Sequence, residues 1–137
     1  MRRLTRWLFA SAAVALVVTG VSGPANAATP RGMVIGPASS AQLQAGWLYV
    51  QDTKVDGMRA GAEIESQNRL TLWSKVPNTT VWDTNGANGD SPTINVAAAL
   101  GNYGVEGVFR VVTWTQDGAN GPRKNVTYGP SLYRPYP

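Results

Sequence analysis

Residues 107–114 read GVFRVVTW and form the most strongly β-prone stretch of the chain. Valine, phenylalanine, threonine and tryptophan favour strands because branched and aromatic side chains pack well on a pleated surface. A turn-forming segment, DGANGP, follows at 117–122, and the β-prone sequence NVTY begins at 125. This order predicts two neighbouring strands joined by a loop.

Five more segments of strand-like sequence precede this pair. Turn-forming dipeptides such as Asp56-Gly57 and Asn85-Gly86 separate several of them. The segments are GWLYVQD (46–52), GAEIES (61–66), RLTLWSKV (69–76), TTVWD (79–83) and TINVAAAL (93–100). Together the runs predict an all-β fold, an antiparallel β-sandwich of about seven strands, with a small β-barrel as the alternative. The AAAL patch at 97–100 is compatible with one helical turn.

Residues 103–130, YGVEGVFRVVTWTQDGANGPRKNVTYGP, resemble the last two strands of immunoglobulin-like and fibronectin-type-III-like domains. There, an aromatic strand, a Gly/Asp/Asn loop and a polar edge strand close the sandwich. The Cys…Trp…Cys pattern of true immunoglobulin domains is missing. The resemblance implies a sandwich topology and carries no functional residues, because such folds support unrelated functions.

The N-terminus has the three parts of a secretory signal peptide. A segment with three arginines (MRRLTR, 1–6) is followed by an uncharged apolar run at 7–21 and by Pro-Ala-Asn-Ala at 24–27. The apolar run is shorter than the roughly 20 residues of a spanning helix. We therefore expect residues 1–27 to be removed. The protein is then secreted, extracellular or associated with the cell wall, with no transmembrane segment left.

The rest of the chain divides into an arm and one domain. Residues 28–44 are rich in Ala, Ser, Gly and Pro, which predicts a flexible N-terminal arm that could include a first strand at 33–35. Residues 45–137 are expected to form a single β-sandwich domain. Removal of the signal leaves 137 − 27 = 110 residues, enough for one core without disulfide bonds.

Charge and missing residue types exclude several function classes. The chain has 12 Lys+Arg and 8 Asp+Glu, and loss of the three signal arginines leaves 9 against 8, a net charge of +1. Such a charge does not favour nucleic acid or an anionic membrane. Because the chain has no Cys and no His, catalytic triads with either residue and His- or thiolate-ligated zinc sites are impossible. We expect a protein that is not an enzyme.

Residues 81–90, VWDTNGANGD, admit two interpretations. Asn-Gly pairs are strong hairpin signals because both residues tolerate positive φ, so we predict a connection between strands and no cofactor. The alternative is a calcium site with oxygen ligands from Asp83, Asn85 and Asp90. The EF-hand spacing is not met, since Ala87 stands where that loop has an oxygen ligand.

Tryptophans define the predicted binding surface. Alternation in 69–76 turns Leu70 and Leu72 inward, so the residues between and beside them face outward. Aromatic rings beside cations suit stacking on sugars or contact with a partner protein. We expect the indoles of Trp73 and Trp114 to be exposed on the outer face of the sheet. The candidate binding residues on the outer sides of their strands are Trp73, Trp114, Arg69, Lys75 and Arg110.

Two other groups receive structural interpretations. Glu63 and Glu65 lie on one strand face with no cleft between them, so we expect solvated side chains rather than a catalytic pair. Residues 47–50 (WLYV) are apolar on both faces, which predicts a central strand buried on both sides.

The most consistent function is a secreted, non-catalytic binding module with an extracellular glycan, the cell wall or a secreted protein as partner. The first alternative is an inhibitor or toxin-like effector that presents the loop Asp117 to Lys124 to its target. The second is a carboxylate-based enzyme, or one that uses Tyr, Ser or Lys. An exposed row of tryptophans would favour the binding module. A rigid protruding loop would favour the inhibitor or effector, and a cleft with two carboxylates would favour the enzyme.

Overall fold

A computed structural model describes residues 32–67, 72–101 and 107–133. The strands and helix within these ranges are β1 (Met33–Ile35), β2 (Ser39–Gln44), β3 (Trp47–Asp52), β4 (Arg59–Gln67), β5 (Trp73–Lys75), β6 (Val81–Asp83), β7 (Thr93–Asn95), α1 (Ala97–Gly101), β8 (Val108–Gln116), β9 (Arg123–Tyr128) and β10 (Leu132–Tyr133). They form two antiparallel sheets that do not close into a barrel, which confirms the predicted sandwich.

The two sheets differ in size. The first has the order β1-β2-β3-β7. The second has the order β10-β8-β4-β5, with β6 also paired to β4 and β9 also paired to β8. Strands β4 and β8 pair over their whole length, from Arg59 opposite Gln116 to Gln67 opposite Val108. This long pair is the centre of the second sheet.

The core lies between the sheets and follows the alternation of each strand. Leu43, Leu48 and Val50 point into it from the first sheet, and Ile64 and Phe109 point into it from the second. All five are buried. Because side chains alternate across a strand, the residues between them lie on the outer faces of the sandwich.

Helix α1 closes one end of the core. Asn95 accepts a hydrogen bond from the Ala97 backbone N–H at 3.0 Å, which caps the first turn. Val96 and Leu100, four residues apart, both point into the core, whereas Ala98 is exposed. The prediction of a helical turn at AAAL is confirmed, and the strand in this segment ends at Asn95.

A buried threonine joins two strands that share one edge of β4. β5 pairs with residues 65–67 and β6 with residues 60–62, so the edge is open between them. The Thr79 hydroxyl fills the opening: it accepts the Ile64 N–H at 3.2 Å and donates to the Val76 carbonyl at 2.7 Å. The edge is therefore continuous in hydrogen bonding although it is made by two short strands.

Strand β9 is exposed along nearly its whole length and pairs with β8 through an irregular register. The register shifts between Thr113 and Thr115, and Asn125 has a φ of 53°. The Asn125 side chain donates to the Thr115 hydroxyl at 3.0 Å. A β-bulge of this kind bends the strand and increases its local twist.

Within the arm predicted at 28–44, the possible first strand at 33–35 is confirmed as β1, but the predicted flexibility is wrong for 39–44; residues 28–31 lie outside the described residues. β1 and β2 occupy 33–35 and 39–44 and are integral to the first sheet, and Leu43 is fully buried. The sequence SSAQLQ alternates small or apolar residues inward with polar residues outward, but it has no β-branched or aromatic residue to raise its strand propensity. The predicted signal peptide, 1–27, lies outside the described residues.

Candidate functional site

The outer faces of the two sheets have different chemistry. The outer face of the second sheet, called the charged face, carries Arg59, Glu63, Glu65, Trp73, Lys75, Trp82, Arg110, Trp114, Arg123 and Tyr128. The outer face of the first sheet, called the neutral face, carries Met33, Ile35, Ser40, Gln42, Gln44, Trp47, Tyr49, Gln51, Thr93 and Asn95.

The strand parity predicted for the charged face is correct. Lys75 and Arg110 are both opposite Glu65, and Trp73 and Trp114 lie on the same side. Arg69 and Leu70 fall outside the described residues. Leu72 was expected to point inward, but its side chain is 61% exposed because β5 begins only at Trp73 and leaves Leu72 before the paired strand.

Trp114 is buried, and the expectation that it is solvent-exposed is wrong. Its indole lies over Gly61, where a Cβ would come within 2.6 Å of the ring. Trp82 meets it edge-on with ring centroids 5.3 Å apart, and the Arg123 guanidinium lies 3.7 Å from the ring centroid. The parity prediction gave the correct face, but these neighbours cover the ring.

Glu63 is also buried, at 2% exposure, and the expectation of a solvated side chain is wrong for it. Arg123 donates two hydrogen bonds to its carboxylate, at 2.5 and 2.9 Å, and the Lys75 ammonium lies 3.7 Å away. The bond to Glu63 is the main cause that raises the pKa of Arg123. A buried carboxylate requires such partners because desolvation of an unpaired charge is costly.

Arg110 links the remaining groups of the charged face. Its Nε donates to Oε2 of Glu65 at 2.7 Å, and its Nη2 forms an ion pair with the same oxygen at 2.5 Å. Its guanidinium lies between two rings, 4.3 Å from the centroid of Trp73 and 4.1 Å from that of Tyr128. The charged face therefore brings together most of the predicted binding residues, but their charges and ring surfaces are largely engaged with one another.

The 81–90 loop has the hydrogen bonding of a connection. Asp83 is buried, and its two oxygens accept backbone N–H groups from Asp52 at 2.8 Å and Asn85 at 3.2 Å. Asp90 bonds to Asn88 in the exposed part of the loop. No group of three or more His, Cys, Asp or Glu suited to a metal ion occurs within 32–67, 72–101 and 107–133. Because both carboxylate oxygens of Asp83 already accept backbone N–H groups, Asp83 does not support the alternative of a calcium site.

A groove of about 390 Å³ lies at one end of the sandwich, where the β3–β4, β6–β7 and β8–β9 loops meet. Arg59 lines it, stacks on Trp82 and donates to the Ala119 carbonyl at 2.9 Å. At the end of β3, next to the β3–β4 loop, burial raises the pKa of Asp52, and the nearby carboxylates of Asp56 and Asp83 raise it further. The Lys54 backbone N–H, which donates to Asp52, acts in the opposite direction.

The neutral face has two aromatic residues in a field of amides and hydroxyls. Trp47 is 42% exposed and Tyr49 is half-buried; two residues apart on β3, they lie about 7 Å apart along the strand. Gln44 and Asn95 flank Trp47. Among the described residues of this face none carries a charge.

The predicted burial of residues 47–50 on both sides is wrong. Leu48 and Val50 are buried, but Trp47 and Tyr49 form part of an open surface because, within the described ranges, only the inner face of the first sheet is covered. The outward-facing residues of the neighbouring strand β2 could have indicated this open surface from the sequence. In SSAQLQ the outward residues are Ser40, Gln42 and Gln44, which shows that the neighbouring strand is polar on the side of the two rings.

A shallow depression adjoins Tyr49 on the neutral face. Its volume is about 90 Å³, and the backbone of Ala41 and Val50 lies beneath it. The side chains around it are Met33, Ser40, Gln42, Tyr49, Gln51 and Ser91. It is thus a small, uncharged recess beside an aromatic ring.

Within the described residues no helix is long and apolar enough to cross a membrane. Comparison of the chain with protein-family models, curated proteins and solved structures gave no match.

Proposed function

We propose that the protein is a secreted, non-catalytic binding module that recognises a glycan through its neutral face. The observation that carries the proposal is the pair Trp47 and Tyr49, side by side on one strand in a surface of uncharged hydrogen-bonding groups. The sequence supports export through its signal-like residues 1–27.

Sugar rings match this surface in two ways. Their C–H faces are apolar and flat enough to stack on an indole or a phenol, while their hydroxyl groups need partners in the plane of the ring. Gln44 and Asn95 beside Trp47, and Gln42 and Thr93 beside Tyr49, supply donors and acceptors around the stacking rings.

The charge distribution favours an uncharged ligand. A charged group held on the neutral face would lose water without gaining an opposite charge among the described residues there. The charged face is a weaker candidate, because Arg110 and Arg123 are already paired with Glu65 and Glu63.

Non-catalytic binding agrees with the state of the carboxylates. Hydrolysis of a glycosidic bond requires two carboxyl groups across a cleft, about 5–9.5 Å apart. Glu63 and Glu65 are instead bonded to arginines on the opposite side of the sandwich from the neutral face.

The test is affinity electrophoresis and pull-down of the secreted protein with cellulose, xylan, β-glucan and chitin. Trp47→Ala should weaken binding by about 2 kcal/mol, some thirtyfold. Tyr133→Ala removes a ring that is 68% exposed on the second sheet and is the matched control. Trp73→Ala tests the charged face. Binding lost in Trp73→Ala and kept in Trp47→Ala would transfer the function to the charged face.

A second candidate is an inhibitor or effector that presents the loop from Asp117 to Lys124. The loop is exposed at 117–120, and its Ala119 carbonyl is held by both Arg59 and Gln116. Such anchoring favours a preformed loop, which lowers the entropy cost of docking. A loop-directed partner would be lost in Asn120→Arg and kept in Trp47→Ala, the reverse of the outcome for the neutral face.

A further inference from the structure

The depression beside Tyr49 has the dimensions of a small substituent. Its volume is about 90 Å³, less than a quarter of the volume of the groove at the end of the sandwich. An acetyl group has three heavy atoms. A recess this small and shallow suits a group that projects from a ring stacked on the neighbouring aromatic surface better than it suits a whole sugar ring.

The walls of the depression match an acetamido group in particular. Met33 supplies an apolar, adaptable wall for a methyl group. Gln42 and Gln51 each offer an amide with donors and an acceptor, which complements the C=O and N–H of another amide. In the described part of the chain, neither side-chain amide is hydrogen-bonded to another residue.

Position on the sheet connects the depression with the stacking rings. Gln42 is opposite Tyr49, and Met33 is opposite Gln42, so these three side chains lie in one row across β3, β2 and β1. Trp47 is two residues further along β3. A sugar over Tyr49 would direct a ring substituent toward the recess, while the next sugar reaches Trp47.

We propose that the depression receives the N-acetyl group of a 2-acetamido sugar. The ligand is then a neutral polysaccharide or oligosaccharide of N-acetylated hexosamine units. This inference rests on the proposed function and adds the ligand class. A depression that only held water would make no distinction between acetylated and unsubstituted sugars.

The experiment compares two oligosaccharides of equal length and linkage, one of N-acetylglucosamine and one of glucose, by calorimetric titration of the unmodified protein. The N-acetylated ligand should bind at least about tenfold more tightly, since both an apolar contact and amide hydrogen bonds are at stake. Ser40→Leu, which fills the recess, should remove this preference. Ser131→Leu, an exposed serine next to β10, is the matched control.

The outcomes separate the two proposals. Equal affinity for both oligosaccharides, with loss of both in Trp47→Ala, would overturn the acetyl recess and retain glycan binding. A preference for N-acetyl that persists in a folded Ser40→Leu protein would also overturn the recess. Failure of both oligosaccharides and of the polysaccharide panel to bind would overturn the proposed function itself. The titrations of the unmodified protein decide the inference even where Ser40→Leu fails to fold.

Discussion

Truncation of Trp114 tests whether the charged face is a packed layer or a recognition surface. The indole is fully buried between Gly61, Trp82 and Arg123. Removal of a buried aromatic side chain costs about 3–5 kcal/mol. The edge-on contact with Trp82 accounts for about 0.5–1.5 kcal/mol and the stacked guanidinium for about 0.5–1 kcal/mol. Because such contributions are not additive, we expect Trp114→Ala to lower the free energy of unfolding by about 4 kcal/mol.

The measurement is urea unfolding at equilibrium, followed by circular dichroism so that loss of an indole does not alter the signal strongly. Trp47→Ala is the matched control, and its exposed ring should cost about 1 kcal/mol or less. Trp114→Phe keeps a ring over Gly61 and should fall between the two. A loss of 1 kcal/mol or less in Trp114→Ala would refute the packed layer and restore Trp114 as a surface residue.

Two further predictions concern buried polar groups. Thr79→Val keeps the shape of the side chain but leaves the Ile64 N–H without its partner, so unfolding measured in urea should become easier by about 1–3 kcal/mol; an unchanged midpoint would contradict the bridging role. Asp52 has a pKa raised above 3.8, so the folded state holds this proton more tightly and native stability falls as pH rises through the folded pKa. The stability of Asp52→Asn relative to wild type should therefore increase as pH rises above 3.8, and a difference independent of pH would oppose this assignment.

Alternation of side chains is the part of the fold that the sequence determines most directly. All seven predicted segments contain a strand, and the parity of Trp73, Lys75 and Arg110 is correct. Strand β2 escaped prediction because Ser39, Ala41 and Gln44 have little intrinsic strand propensity, and burial against the opposite sheet determines their conformation. Pairing partners also had no local signal, as in the attachment of both β5 and β6 to β4.

The candidate site was harder to predict for a related reason. Parity tells which face a side chain occupies, but exposure depends on what lies above it. Trp114 is covered by Arg123 from β9 and by Trp82 from β6, both remote in sequence. Conversely, Trp47 is exposed and Tyr49 half-buried because, among the described residues, no second layer packs on the outer side of the first sheet. Such openness depends on the arrangement of the sheets and not on local sequence.

The irregular strand β9 has a consequence for the glycan binding proposed above. A module that collects on a polysaccharide surface reaches high local concentration, and there a straight, unpaired strand edge would invite chains to join by backbone hydrogen bonding. The exposed Lys124 places charge at the start of this edge, and the bulge near Thr113 and Asn125 twists it away from a flat geometry. The same bend that interrupts the register of the sheet would therefore keep neighbouring molecules separate on a crowded surface.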